Sequence, residues 1–495
     1  MTDELVALEG VTKTYAGITA LDSVGFTIAR GEAVCLAGEN GSGKSTLIKI
    51  LAGVEQPNSG RIAFSGVTQG ALTPRASAEA GIKVIFQDFS LFPNLSVAEN
   101  IGFSAEIGAG SRLVRKSHVR DLAQATLKRI GVDIPLDATV ETLSVAHKQL
   151  VAIARALATE ARLIIMDEPT TALTEREVRV LLDIIRRLKS DGVAVLFVSH
   201  KLAEVLEVCE KVVVLRNGQR VAEGPATEFD SAKLTRHMTG RDVAAHPPAP
   251  LAADAPLLMR VEGLHKAGAF DDVSFSVHAG EVLGISGLLG SGRTALAKAL
   301  FGLVAPDRGR IVLDGQDVAL GDPVAAAVAG IGYVPEDRLT EGLFLTQSIV
   351  QNIAIGRLDA HTRAGGVLDM AGLFGEARDW LMRLSVKTAN PDLPVRSLSG
   401  GNQQRVVLAR WMARSPRVLV LNGPSVGVDV GSKAEIHGII ADLAAHGLGI
   451  IVISDDLPEV LSTCHRILVM KAGKMVDELA SIETTESDLA HRLAS

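Results

Sequence analysis

The chain has 495 residues and a formal net charge of −7 at pH 7, with 47% hydrophobic and 22% charged residues. This length exceeds what one hydrophobic core usually organises, so the chain is predicted to form a globular protein of two or more domains. The negative charge argues against a nucleic-acid partner, because binding a phosphate backbone requires a concentrated basic surface.

Cysteine usage and the apolar runs predict the compartment. The three cysteines, Cys35, Cys209 and Cys464, form neither a disulfide framework nor a metal-binding spacing, which favours a reducing compartment. Met1–Glu4 carries acid where a signal peptide would carry positive charge. Uncharged apolar runs such as Pro323–Pro335 are shorter than the roughly 18 residues that a membrane span needs. We therefore expect a soluble cytosolic protein that could still dock on a membrane protein.

The first stretch with specific chemistry is the glycine-rich segment Gly38–Thr46, which reads GENGSGKST. It follows the apolar run Ala33–Ala37 and precedes a stretch of helical spacing, Leu47–Leu51, which is the strand, loop and helix order of a phosphate-binding loop. Glycines let successive backbone N–H groups turn toward phosphate oxygens, and the helix N-terminus adds positive partial charge. Lys44 is expected to reach the β- and γ-phosphates, and the Ser45 hydroxyl to bind Mg²⁺. The predicted nucleotide-binding residues are Gly38, Glu39, Asn40, Gly41, Ser42, Gly43, Lys44, Ser45 and Thr46.

Two adjacent carboxylates end a later apolar strand, Leu163–Met166. A buried strand that delivers Asp167 to the rim of the phosphate site suits Mg²⁺ coordination, directly or through water. Glu168 would then polarise a water molecule against the γ-phosphate. These two residues are the predicted metal ligand and the predicted catalytic base.

The chain repeats itself. The loop Gly38–Ser45 recurs as Gly287–Thr294 at an offset of 249, while Leu143-Ser144 recurs as Leu398-Ser399 at an offset of 255. The second copy therefore carries six extra residues between these points. Repetition at a fixed spacing predicts a duplicated domain of about 240 residues.

A short linker separates the copies. Residues 242–256 contain four prolines and no amphipathic period, which is typical of an extended, semi-rigid spacer. The predicted organisation is a first domain over 1–241, a linker over 242–256 and a second domain over 257–495.

Both copies show the same order of predicted elements. Short strands and turns open them, over Ala7–Phe26 and Leu257–Val277, and the phosphate loop with its helix follows. A helix-rich middle is predicted over about 97–157 and 349–413. Apolar strands then alternate with helices, which is typical of a parallel α/β sheet covered on both faces.

The motifs Leu143-Ser144, Asp167-Glu168-Pro169 and Val198-Ser199-His200 are arranged as in the ATP-binding cassette ATPases, and the chain resembles that family twice along nearly its whole length. The resemblance implies two tandem P-loop NTPase domains. Each would have a parallel α/β core, a small antiparallel β subdomain and a helical subdomain. It also implies hydrolysis of ATP to ADP and phosphate with Mg²⁺ as cofactor.

The resemblance assigns three further residues to the first site. Tyr15 looks like the aromatic residue that stacks on adenine, and His200 looks like the switch that contacts the γ-phosphate. Gln87 looks like the glutamine that senses Mg²⁺ and water and also faces the transporter subunit.

In this family two cassettes pack head to tail, so that each ATP lies between the phosphate loop of one and the Leu-Ser-Gly-Gly-Gln signature of the other. The resemblance therefore implies that Gly38–Thr46 is completed by the signature of the second copy, Leu398–Gln403. Ser399 would donate to the γ-phosphate as part of the catalytic set. Gly400 and Gly401 would let the backbone approach the nucleotide closely.

The other composite site lacks most of these residue types. In the second copy, Arg293 takes the place of Lys44, Glu336 that of Gln87, and Asp455 that of His200. Asn422 takes the place of Asp167, and Gly423 that of Glu168. The facing signature has no glycines, and no aromatic residue matches Tyr15. Arg293 could still hold phosphate, but Asn422 removes a metal charge and Gly423 cannot orient water. The second site is predicted not to hydrolyse ATP, and whether it binds nucleotide stays open.

This asymmetry resembles the fused ATPase subunits of bacterial monosaccharide importers for ribose, xylose, galactose and related sugars. The resemblance rests on Gly287–Thr294, on Tyr333–Arg338 and on the second signature, although those relatives usually keep Asp-Glu where this chain has Asn422-Gly423. It implies two copies of a membrane permease as partners and a periplasmic sugar-binding protein outside. It also implies a peripheral location on the cytoplasmic face of the inner membrane. No residue indicates which sugar is carried.

The competing class is a soluble double-cassette factor that acts on ribosomes or DNA. Such proteins are also fused pairs, but ribosome-acting members carry a long charged linker and two intact sites. DNA-repair members carry inserted zinc-binding cysteines or coiled coils. The short proline linker and the single intact site favour the importer.

Overall fold

The computed structural model describes residues 4–15, 17–69, 72–86, 89–108, 115–170, 173, 175–198, 206–240, 249–288, 290–363 and 365–494. It divides into two compact units, residues 1–243 and 244–495. Gln87 and His200 lie outside the described residues. The predicted domain limits stay predictions.

An antiparallel sheet opens the first unit. Its strands, in the order β2-β1-β4-β5, are β1 Glu4–Tyr15, β2 Ile18–Ala29, β4 Ser59–Phe64 and β5 Val67–Gln69. The prediction of short strands here is wrong, because β1 and β2 each run for 12 residues. Gly10 and Ser23 have positive φ values, as turn residues often do. In the structure they lie at register shifts inside the β1–β2 pair, where the strands bend but continue.

A six-stranded sheet forms the centre of the first unit. Its order is β10-β9-β3-β8-β7-β6, with β3 Ala33–Gly38, β6 Ile82–Ile85, β7 Leu163–Asp167, β8 Ala194–Val198, β9 Lys211–Arg216 and β10 Gln219–Pro225. All pairs are parallel except that of β9 with β10. Strands β3 and β8 are buried along their whole length, as a sheet covered on both faces requires. The predicted parallel α/β core is confirmed.

The helices in the described part of the first unit include those predicted after the phosphate loop and in the helix-rich middle. They are α1 Lys44–Leu51, α2 Pro74–Glu79, α3 Val97–Gly108, α4 Lys116–Ile130, α5 Val145–Ala158, α6 Glu175–Ser190 and α7 Ser231–Thr239. Helices α3, α4 and α5 pack on one another and form the helical middle.

The second unit repeats this architecture. Its antiparallel sheet has the order β12-β11-β14-β15, from β11 Leu257–Lys266, β12 Phe270–His278, β14 Arg308–Leu313 and β15 Gln316–Val318. Its central sheet has the order β16-β17-β18-β13-β19-β20, from β13 Val282–Ser286, β16 Ile331–Val334, β17 Val418–Asn422, β18 Gly449–Ile453, β19 Arg466–Lys471 and β20 Lys474–Ala480. The helices are α8 Arg293–Leu300, α9 Pro323–Ala329, α10 Ile349–Ala354, α11 Met370–Arg383, α12 Gly400–Met412, α13 Val430–Ala445, α14 Leu457–Thr463 and α15 Glu486–Ala494.

The central sheet separates two hydrophobic clusters in the second unit. Val282 of β13 faces the cluster formed with the helices, while Leu283 faces the cluster shared with the antiparallel sheet. Because successive side chains of a strand point to opposite faces, both faces are apolar and the strands read as continuous hydrophobic runs. In the buried strands β13 and β17 the polar residues Ser286 and Asn422 therefore lie at the strand ends.

Candidate nucleotide sites

In the first unit, β3, β8 and β7 are neighbours and end at the same edge of the sheet. The phosphate loop leaves β3 there, and Asp167 is the last residue of β7. A Cβ added to Gly38 would lie 2.4 Å from Ser42 Oγ, and one added to Gly43 would lie 2.5 Å from the Ala20 carbonyl oxygen. Gly43 also has a φ of +105°. These two glycines are therefore required by the packing of the loop itself.

Lys44 lies over the loop that precedes it. Its Nζ donates to the carbonyl oxygens of Gly38 at 2.7 Å and Glu39 at 2.8 Å, and the side chain is buried. The ammonium group is thus held above the backbone cradle, where it can meet the phosphates of a nucleotide. Ser45, the next residue, is exposed at the start of α1.

Asp167, at the end of β7, is influenced by burial and by two neighbouring charges. Burial raises the pKa of Asp167, the Glu168 charge raises it further, and the Lys44 charge opposes both. The Lys44 charge is close enough to act on the Asp167 carboxyl group, so the predicted metal ligand lies near the phosphate loop. A carboxylate and the Ser45 hydroxyl offer the hard oxygen donors that Mg²⁺ prefers, so these residues fit the ion.

Glu168 has a strained backbone. Its φ is +49°, and its N–H donates to the carbonyl oxygen of Val198, the last residue of β8, at 2.8 Å. The left-handed conformation costs a non-glycine residue about 1 kcal/mol. Strain of this kind is found where a side chain must point in one direction, which suits a residue that orients water.

Tyr15 ends β1 with 37% of its surface exposed, and Lys13 Nζ lies 5.0 Å from the centroid of its ring. The aromatic ring is therefore available at the surface of the antiparallel sheet.

The two signatures are built differently. Ser144 is the N-cap of α5, and its hydroxyl accepts from the N–H of His147 at 3.2 Å. Ser399 is the N-cap of α12 but makes no such bond to the backbone; its hydroxyl accepts from Asn402 Nδ2 at 2.9 Å. This contact uses Ser399 as an acceptor and leaves its O–H able to donate.

The glycines of the second signature have a further role. A Cβ on Gly400 would lie 2.7 Å from Arg338 Nη2, and one on Gly401 would lie 2.3 Å from the Ser432 Cβ. Their small size is already needed within the second unit, and the sequence alone shows only that they permit a close approach.

In the second phosphate loop, the arginine that replaces Lys44 is bonded to other groups of the protein. Arg293 is 6% exposed; its Nη1 donates to the Gly287 carbonyl oxygen at 2.5 Å, and its Nη2 lies 2.9 Å from Asp455 Oδ2. Asp455 and Arg293 are the residues that replace His200 and Lys44. The guanidinium that the sequence offers to a phosphate is paired with a carboxylate instead.

The rest of this site is equally altered. Thr294 Oγ1 donates to Glu336 Oε2 at 3.3 Å, so the residue matching Ser45 contacts the one matching Gln87. Gly423 has a φ of +61° and donates to Ile453 O at 2.8 Å, which repeats the Glu168 backbone without its side chain. A cavity of about 410 Å³ lies here, lined in part by Thr294, Glu336, Arg338 and Asn422.

A buried asparagine that the sequence reasoning missed holds the loop after each Gln87-type position. Asn100 Oδ1 accepts from the Phe92 N–H at 2.8 Å, and its Nδ2 donates to Phe92 O at 3.0 Å. Asn352 makes the same two bonds to Phe344, at 2.9 and 3.0 Å. The repeat carries the signal, because Ser-Val-Ala-Glu-Asn-Ile recurs as Ser-Ile-Val-Gln-Asn-Ile.

Within the described part of the chain, no cluster of three or more His, Cys, Asp or Glu side chains could hold a metal ion by itself. No helix in the same residues is long and apolar enough to span a bilayer.

Comparisons with known proteins agree with this geometry. The ABC transporter family matches residues 21–171 and 270–426. The ribose import ATP-binding protein RbsA 2 of Streptomyces avermitilis is 41% identical over 485 residues, which cover 98% of this chain and 96% of that protein. RbsA 3 of Rubrobacter xylanophilus, with the same description, is 42% identical over 487 residues and 98% of each protein.

A solved structure is similar along nearly the whole chain. It is a chain from the complex of the archaeal ribosomal stalk protein aP1 with the archaeal ribosome recycling factor aABCE1. The TM-score is 0.64 at 21% identity, over 98% of this chain and 92% of that one. At this identity the likeness shows the fold alone. Together, the repeated fold, the two phosphate loops and the match of both halves show that the chain belongs to the ABC transporter family, with two ATP-binding cassettes.

Proposed function

We propose that this chain is the ATP-hydrolysing subunit of an importer for a simple sugar, and that one of its two nucleotide sites does the hydrolysis. The observation that carries the proposal is the whole-length similarity to proteins described as ribose import ATP-binding proteins. The domains would be residues 1–241 and 257–495, joined by the linker 242–256.

The working site would be built on the first phosphate loop. Gly38–Thr46 binds the phosphates of ATP, Lys44 neutralises the β- and γ-phosphates, and Tyr15 stacks on adenine. Ser45, Asp167 and Gln87 would hold Mg²⁺, which when bound neutralises charge on the phosphates. Glu168 polarises the attacking water and His200 contacts the γ-phosphate. The buried Lys44 and the strained backbone of Glu168 support these roles.

The second signature would complete this site. Ser399 donates its O–H to the γ-phosphate, and the backbone of Gly400 and Gly401 approaches it. The bond from Asn402 to Ser399 supports this role, because it leaves the hydroxyl hydrogen for the phosphate. ATP would then draw the two cassettes together, and hydrolysis would release them.

The second loop would not hydrolyse ATP. Asp455 supplies negative charge to Arg293 where a γ-phosphate would otherwise do so. Asn422 and Gly423 replace the metal ligand and the base. A triphosphate entering this loop would have to displace the carboxylate from the guanidinium and would meet its repulsion.

The partners would be two copies of a membrane permease, with a periplasmic sugar-binding protein outside. The chain would then lie on the cytoplasmic face of the inner membrane as a peripheral subunit. Phe92, in the segment Phe89–Leu95 after Gln87, has 59% of its surface exposed although Asn100 holds its backbone. An exposed aromatic side chain on a backbone held by hydrogen bonds is suited to contact a partner.

The test is import by the reconstituted complex. The chain is expressed together with a candidate permease and sugar-binding protein, and uptake of ribose, xylose and galactose into cells is compared with that of a Lys44→Ala control. Uptake of one sugar that depends on Lys44 is expected. Equal uptake with and without an active loop would overturn the proposal, as would sedimentation of the chain with ribosomes rather than with permease-containing membranes.

A further inference from the structure

Arg338 joins three functional segments of the second unit. It begins the single π-helical turn Arg338–Gly342, two residues after Glu336. Its Nη1 donates to the Val426 carbonyl oxygen at 2.6 Å and its Nη2 to that of Gly427 at 2.9 Å. The side chain is only 9% exposed, so these bonds are shielded from water.

The third partner lies in the signature helix. Arg338 Nε donates to Gln403 Oε1 at 3.3 Å, and Gln403 belongs to the first turn of α12. Each of the three nitrogens of the planar guanidinium thus donates a hydrogen bond, a geometry that a lysine cannot reproduce.

Gly400 lies directly against this arginine. A Cβ on Gly400 would come within 2.7 Å of Arg338 Nη2 and 2.8 Å of Gly427 O, which are themselves bonded to each other. The backbone that follows Ser399 therefore rests on the Arg338–Gly427 contact. Any displacement of the arginine would move the first turn of α12 and the signature with it.

The first copy has other residue types at the positions that match this arginine and its signature partners. The residue matching Arg338 is Phe89, and those matching Gly400 and Gln403 are Val145 and Lys148. Phe89 has a φ of +60°, and its carbonyl oxygen accepts from Arg155 Nη2 at 3.0 Å. The turn is also shorter there, since Asn100 and Asn352 are offset by 252, three more than the phosphate loops. The arginine and its glycine and glutamine neighbours are therefore found together in the second copy and not at the matching positions of the first.

We propose that Arg338 is a positioning residue for the second signature: it sets the backbone of Ser399–Gly401 for the ATP held by the first phosphate loop. This rests on the proposed function, in which that signature completes the first site. The degenerate second site then has a structural task. The turn after Glu336 and the loop after Gly423 anchor the signature that the working site uses.

The test compares Arg338→Ala and Arg338→Lys with a matched control, Arg414→Ala, in the full chain reconstituted with its permease. Arg414 follows the far end of α12 and donates to the Gly356 carbonyl oxygen at 2.7 Å. We expect Arg338→Ala to lower the kcat of ATP hydrolysis at least tenfold while the Kd for a fluorescent ATP analogue at the first loop changes less than twofold. Arg338→Lys should fall between Arg338→Ala and the unaltered chain, and Arg414→Ala should stay within twofold of the latter.

Gly400→Ala adds a readout that general destabilisation would not produce. Its methyl group would meet both the guanidinium and the Gly427 carbonyl oxygen, so the Arg338→Ala/Gly400→Ala double variant should lose clearly less kcat than the two single losses combined. Arg338→Lys carries the test if Arg338→Ala folds poorly. Additive losses, or losses in kcat that match those of Arg414→Ala at equal melting temperature, would overturn the inference.

Ser399→Ala separates this inference from the proposed function. If Ser399→Ala retains full hydrolysis, the proposed composite site is wrong and the inference fails with it. If Ser399→Ala abolishes hydrolysis while Arg338→Ala behaves like Arg414→Ala, the site stands and only the role of Arg338 is overturned.

Discussion

The two phosphate loops of this chain share a backbone but differ in charge. In both, a glycine with strongly positive φ precedes the helix, Gly43 in the first loop and Gly292 in the second. Lys44 and Arg293 each donate to a carbonyl oxygen of their own loop, and Arg293 is in addition paired with Asp455. The backbone of the loop is therefore the same in both units although the charged residues around it differ.

The same contrast holds at the ends of β7 and β17. Glu168 and Gly423 both adopt left-handed φ and both donate to the last residue of the neighbouring strand. The first unit has a glutamate in this strained conformation, while the second has a glycine, which adopts it without strain. The second unit thus lacks the carboxylate and has the residue type that this backbone conformation favours.

The largest expected effect comes from replacing the proposed catalytic residues of the first site. Glu168→Gln should lower ATP hydrolysis by about 10²–10⁴-fold, because it removes a general base. Lys44→Ala should lose hydrolysis similarly, whereas the matched Arg293→Ala should retain more than half. Phosphate release by the purified complex measures all three. Similar rates for Lys44→Ala and Arg293→Ala would contradict a single working site.

The signatures should differ by nearly as much. Ser399→Ala is expected to reduce kcat by about 100-fold, the usual cost of removing one donor to developing negative charge. Ser144→Ala should stay within twofold, since that hydroxyl only caps α5. A melting curve of each variant separates loss of the cap from loss of catalysis. A fall in kcat for Ser144→Ala equal to that of Ser399→Ala would argue for two active sites.

Coupling should be sensitive to the segment after Gln87. Phe92→Ala, or deletion of Phe92 and Pro93, should lower sugar import by about tenfold or more, as expected for an aromatic anchor at an interface, while nucleotide binding is unchanged. Val67→Ala, which alters an equally exposed side chain on the antiparallel sheet, serves as the control. Parallel loss of nucleotide binding and import would instead indicate local unfolding.

Asp455→His should open the second loop. Replacing the carboxylate releases Arg293 and restores the residue type of the first site, so nucleotide affinity at this loop should rise by about tenfold, or ~1.4 kcal/mol. The experiment uses a Glu168→Gln background to stop turnover and counts fluorescent nucleotides bound per chain by equilibrium titration. An unchanged second affinity would show that the ion pair does not exclude nucleotide.

The smallest effect concerns the pH dependence of the first loop. Because the pKa of Asp167 is raised, Mg²⁺-dependent binding of a non-hydrolysable ATP analogue should weaken as pH falls through that raised value. Glu168→Gln removes one of the causes, so the weakening should move to lower pH. For the chain without nucleotide the sign reverses: protonation of Asp167 favours the folded state and adds stability on acidification. A midpoint unaffected by Glu168→Gln would contradict the assigned coupling.

Much of the fold could be predicted from residues close together in the chain. The run Ala33–Ala37 before the glycines predicts β3 and its loop, and the fixed offsets predict the duplication, both of which the structure bears out. The length of β1 and β2 could not be predicted, because the irregularities near Gly10 and Ser23 are spanned by pairing between the two strands, which no local pattern of residues shows. The roles of Gln87 and His200 stay predictions.

Residue identity alone was enough to establish that one set of motifs is complete and the other is not. It could not establish what the altered residues contact, because Arg293 and Asp455 are 162 positions apart and meet only when β13 and β18 become neighbours in the sheet. The same holds for Arg338, whose partners lie in α12 and after β17. Long-range pairing of strands brings these groups together, and no local pattern of residues records that pairing.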